Sequence, residues 1–148
     1  MKPTLALLNP PAPLPTMRDY FCSSSSKMGY LWQPIDLLCQ SGYLDADFTL
    51  AVLDAPAQEL TETQTLTRLT ALRPAVIIAL VGTANYPDDF AFLERAAQAT
   101  GARIFVADEV LAVSRFLDRY ADRLRVEHAQ HGLASVLPRL PTFAPAPS

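Results

Sequence analysis

Apolar residues gather in four short, nearly unbroken runs, residues 4–8, 48–53, 75–81 and 103–106. Runs of this length that do not alternate with polar positions read as strands buried on both faces of a sheet. The stretches between them carry helical spacing. In the clearest, Thr61 and Gln64 have the separation of a capping box, Leu66, Leu69 and Leu72 recur on one face, and Pro74 prevents continuation. Another helix is expected from about Pro87, with Asp88 and Asp89 in its first turn complementing the macrodipole. Its inner face is Phe90, Leu93, Ala96 and Ala97, and Gly101 is its stop. A helix from about Pro34 carries Ile35, Leu37, Leu38 and Cys39, with Gly42 where a left-handed cap is needed. A fourth, over 113–122, buries Phe116, Leu117 and Tyr120. Residues 124–131 read as a polar edge strand and 133–137 as a short last helix.

Strands alternating with helices predict a parallel sheet, because each crossover helix returns the chain to the same end with right-handed sense. The expected class is α/β: a doubly wound, five-stranded, flavodoxin-like (Rossmann-like) sheet in the order 2-1-3-4-5. That order sends the connections of the first and third strands to opposite faces and opens a crevice at their carboxyl ends. Three loops meet there, residues 9–33, 82–87 and 107–112.

The length of 148 residues suits one domain, expected over 1–137, followed by a Pro-rich tail over 138–148 that reads as disordered. Half the residues are apolar and 18% are charged, which fits a sheet covered on both sides. The net charge of −3 and the scattered Lys and Arg exclude a nucleic-acid footprint. No apolar run approaches the roughly 20 residues that span a bilayer, and none has signal-peptide form, so a cytoplasmic protein with no membrane partner is expected. Cys22 and Cys39 are then free thiols.

The loop over 9–33 is the exceptional segment, since loops beyond about 12–15 residues are uncommon in compact domains and carry function when they occur. It begins as stiff extended chain, Asn9-Pro-Pro-Ala-Pro-Leu-Pro. From Arg18 to Pro34 it mixes aromatics, hydroxyls and a few charges, a composition able to cover a large, partly polar ring system. A phosphoryl-accepting receiver needs paired acids after the first strand and an Asp ending the third; Asn9 and Gly82 stand there instead. Cys22 has no histidine near it in sequence to activate a nucleophile.

The run Leu8-Asn-Pro-Pro, then Arg18-Asp-Tyr-Phe-Cys-Ser and Ser26-Lys, then Tyr30, Trp32, Pro34, Asp36-Leu-Leu and Ser41-Gly-Tyr-Leu, resembles the N-terminal cobalamin-binding domain of one branch of radical SAM enzymes. Asp54-Ala, Leu72-Arg-Pro, Leu80-Val-Gly and Gly101-Ala-Arg extend the similarity to about Val126. The resemblance implies cobalamin on the carboxyl edge of the sheet. The implied contacts are Asn9, Pro10, Ser25, Ser26, Lys27, Tyr30 and Trp32 from the first loop, Leu80, Val81, Gly82 and Thr83 from the third strand, and Ala107 and Asp108 from the fourth. Each also has an ordinary reading: Asn9 as a turn residue, the serines as linker, the aromatics as core plugs, Lys27 as solvated charge.

The pattern Asp-x-His-x-x-Gly, which supplies a cobalt ligand in many cobalamin domains, is absent, so no histidine ligand is expected. Two cysteines cannot build the Cys-x-x-x-Cys-x-x-Cys site, so this chain holds no iron-sulfur cluster and would need a separately encoded radical SAM partner. Ala107-Asp108-Glu109 stands where many such domains have Gly-Gly. That substitution suggests the alternative, a degenerate domain acting as a non-enzymatic adaptor or regulator.

Overall fold

The computed structural model describes residues 1–18, 23–25, 33–82, 85–107 and 126–128. It is an α/β structure built on a parallel sheet. Strands β1 (Thr4–Asn9), β4 (Thr49–Asp54), β5 (Val76–Leu80) and β6 (Arg103–Ala107) lie side by side as β4-β1-β5-β6, and the three-residue β7 (Val126–His128) extends the β6 edge. All four pairings in this sheet are parallel. A separate antiparallel ribbon, β2 (Thr16–Arg18) with β3 (Ser23–Ser25), interrupts the long first loop. Sequence pattern gives no sign of it, because serine is a poor strand former and the ribbon's pairing is backbone chemistry.

Alternate residues of the central strands enter two cores. Ala6, Leu8, Ile77 and Ala79 face α2 (Glu62–Leu72) and α3 (Tyr86–Thr100), where they meet Leu69, Phe90, Leu93 and Ala96. Leu5, Leu7, Val76 and Ile78 face the other way, onto Leu37 and Leu44 of α1 (Ile35–Leu44). Both faces of β1 and β5 are therefore apolar, which explains their unbroken hydrophobic runs.

The capping box of α2 is formed: the Thr61 hydroxyl accepts from Gln64 N–H and the Gln64 side chain accepts from Thr61 N–H. Thr61→Ala should lower the unfolding free energy by about 1 kcal/mol, read by urea denaturation. Helix α3 stops at Gly101, whose φ of 68° is left-handed backbone that a Cβ would strain. Gly42 departs from expectation. It lies within α1, which runs on to Leu44 with Asp45 as its cap, because Leu44 is fully buried and draws the last turn onto the core. Leu38, one of the apolar residues of this helix, is exposed. The expected helices over 113–122 and 133–137 and the tail over 138–148 lie outside the described residues. No helix among the described residues is long and apolar enough to cross a membrane.

Candidate functional site at the carboxyl edge

β1 and β5 end on the same edge of the sheet, and the segments that leave them converge there. Asn9 closes β1 opposite Asp54, the last residue of β4, and its side-chain amide donates to Asp54 Oδ1 at 2.9 Å. β5 runs into Val81 and Gly82, and one turn into α3 Asp89 points back at the same place. Over these groups lies β2, which brings Arg18.

Arg18 is the hub. Its Nε and Nη2 donate to the two oxygens of Asp89 at 2.8 and 2.6 Å, a bidentate pair with both side chains fully buried. Its Nη1 donates to Asn9 Oδ1 at 3.1 Å and to the Pro10 carbonyl at 2.9 Å. Asp89 Oδ2 also accepts from Gly82 N–H at 3.1 Å. The planar five-donor guanidinium suits this task in a way an ammonium would not, because it satisfies a carboxylate and two further acceptors at once. A second stitch lies beside it: Asn85 Nδ2 donates to Thr16 Oγ1 at 2.8 Å, and that hydroxyl donates to the Leu14 carbonyl at 2.9 Å. Asn85 precedes α3 but makes no side-chain cap, its amide being committed to β2.

Two charges buried together gain little net stability, because desolvation offsets most of their attraction. Burial pushes the Asp89 carboxyl above its ordinary value of 3.8, opposed by the hydrogen bond and charge of Arg18 and by the Gly82 N–H. An acid whose native pKa exceeds its unfolded one holds its proton more tightly when folded. Its contribution to stability is complete below pH 3.8 and is lost as pH rises through the native value. Asp89→Asn cannot titrate. Between about pH 3 and about pH 7, the unfolding free energy of the wild type relative to this variant should therefore fall with rising pH in urea titrations; a rising difference contradicts the assignment.

Of the residues that the sequence puts against a cofactor, five are described with their side chains. Asn9, Pro10, Leu80, Val81 and Gly82 come together at the β1/β5 edge, and all five are buried. Asn9 is engaged by Arg18 and Gly82 by Asp89, so a ligand bonding to them has to displace the guanidinium from the first and the carboxylate from the second. Ser25 enters as β3 backbone and Ala107 as the end of β6. Ser26, Lys27, Tyr30, Trp32, Thr83 and Asp108 lie outside the described residues.

Sequence pattern does not reveal Arg18 and Asp89 as a pair. One signal is present: Asp89 is four residues before Leu93 and seven before Ala96, which places a carboxylate on the buried stripe of α3. Such a group requires a cation or a proton. Among the described residues no group of three or more His, Cys, Asp or Glu side chains could hold a metal ion. Comparison with protein-family models, curated proteins and solved structures gives no match.

Proposed function

We infer that this chain binds cobalamin on the carboxyl edge of a flavodoxin-like sheet, order 2-1-3-4-5, and presents it to a separately encoded radical SAM protein. The fold reading is supported by the succession β4-β1-β5-β6-β7, in which a switch point would fall between β1 and β5. The function reading is supported by the ordered resemblance from Leu8-Asn-Pro-Pro to Gly101-Ala-Arg. One structural observation carries it furthest: β2, within the exceptional first loop, lies over that edge and is fastened there through Arg18. A platform of this kind supplies binding and orientation, and the cofactor supplies methyl-transfer or related radical chemistry.

The fit is specific in one respect. Arg18, Asn9 and Asp89 fill the crevice between the ends of β1 and β5, so these residues leave no slot there for the nucleotide tail. Asn9 and Pro10, which accept from Arg18, and Gly82, which donates to Asp89, would support the cofactor through this clamp and not by direct contact. The same filled crevice favours the second reading, an adaptor or regulator that has kept the fold and lost the cofactor.

Titration with hydroxocobalamin separates the two. Binding at tens of micromolar or tighter, seen as a shift in the corrin absorbance, is the expected result. An unchanged spectrum with no retention of the corrin on gel filtration rejects the cobalamin reading and leaves the adaptor.

A further inference from the structure

Beside the Arg18 clamp, on the β4 side of the same edge, a groove of about 780 Å³ runs between residues 11–15 and the β4–α2 connection. We propose that this groove is a docking site for an arginine-bearing apolar segment of a partner protein. The inference is independent of cobalamin.

Two properties of the walls select that occupant. First, one wall is Pro11, Pro13 and Pro15 with Leu14, whose side chain is 62% exposed, and the facing wall includes Pro56 and Leu60. Three prolines remove three N–H groups, so this wall offers mainly apolar surface and cannot pair as a regular strand. Its rigidity also means little ordering is lost when something docks. Second, among the described residues every charged side chain lining the groove is acidic: Glu59, Glu62 and Asp88. Glu62 is matched by Arg95 at 2.6 Å across half-exposed surface. No described Lys or Arg lines the groove. A site rich in acceptors, negative at its rim and apolar in its walls suits a donor-rich cation carried on an apolar stem. The arginine side chain has that form, and leucine-sized neighbours would cover the exposed Leu14. The same charges disfavour a phosphate-bearing ligand here.

The test uses a fluorescein-labelled seven-residue peptide of alternating Leu and Arg, titrated with the whole protein and read by anisotropy. A second peptide carries citrulline, neutral and nearly isosteric, in place of each Arg. The wild type should bind the arginine peptide and lose about tenfold in affinity for the citrulline peptide. Glu59→Lys with Asp88→Lys should cost about tenfold or more, and Leu14→Ser should weaken binding independently of salt. The control is Asp45→Lys with Asp47→Lys, which makes the same charge change at the opposite, amino edge of the sheet and should leave affinity unchanged; circular dichroism verifies folding of each variant. No binding near 1 mM, or equal losses in the groove and control variants, overturns the proposal. The second outcome would make the attraction one of net charge alone.

Discussion

Arg18→Ala should lower the unfolding free energy by about 3–5 kcal/mol, the cost of leaving a buried carboxylate without its cation. Among the described residues Asp89 then keeps only the Gly82 N–H, while Asn9 Oδ1 and the Pro10 carbonyl lose the Arg18 donor beneath the ribbon. Removal of the guanidinium takes away both effects of Arg18 that hold the Asp89 pKa down, so the variant's deficit should be smaller in acid, where the carboxyl is already protonated. The informative comparison is Arg18→Met with Asp89→Asn. This pair removes both charges and keeps an acceptor for Gly82 N–H. It should recover most of the loss, because an ion pair in the interior contributes far less than half an ion pair costs. Arg18→Lys should recover little, since one ammonium cannot span both carboxylate oxygens and the two acceptors behind it. Urea denaturation of the four proteins tests this directly; a single alanine variant as stable as the wild type would show that the clamp does not hold the ribbon down.

Phe90→Ala is the other large effect, again about 3–5 kcal/mol, by a different mechanism. Phe90 is fully buried in the cluster that joins α3 to the β1 and β5 face, and its ring lies 6.0 Å from that of Tyr86. Truncation leaves a void that the surrounding strands and helix cannot close. Phe90→Leu, which keeps most of the volume, should cost about 1.5 kcal/mol or less. The contrast separates cavity formation from any general weakness of α3. Because Phe90 and Asp89 are consecutive residues on one helix, the loss from Phe90→Ala and the loss from Arg18→Ala need not add, and the double variant measures how far the core and the clamp are coupled.

The elements that sequence pattern locates well are those decided locally. The α2 start is fixed by Thr61 and Gln64 three positions apart, its end by Pro74 following Arg73, and the α3 end by Gly101; all three need only neighbours in sequence. β1 and β5 are legible because burial on both faces leaves their runs almost wholly apolar. What pattern cannot reach is anything set by distant partners. Gly42 continues a helix because Leu44 is drawn into the core. β2 and β3 exist because Thr16 and Arg18 find Asn85 and Asp89 across the fold, a choice made by hydrogen bonding over about seventy residues of chain. In the same way the candidate site is legible in position but not in content. Asn9, Pro10 and Gly82 do mark the edge where the loops converge, yet their side of it is occupied by a guanidinium that periodicity treats as one more loop charge.

The placement of β1 has a consequence for how the molecule is made. It lies between β4 and β5, yet synthesis delivers it well before either neighbour. Its unpaired backbone amides and apolar side chains therefore have to wait during synthesis for β4 and β5, and the ribbon after it waits longer still, until α3 supplies the counter-charge for Arg18. The prolines that begin directly after Asn9 are well placed for that interval: a chain that has lost most of its N–H groups is a poor template for strands from a neighbouring nascent chain.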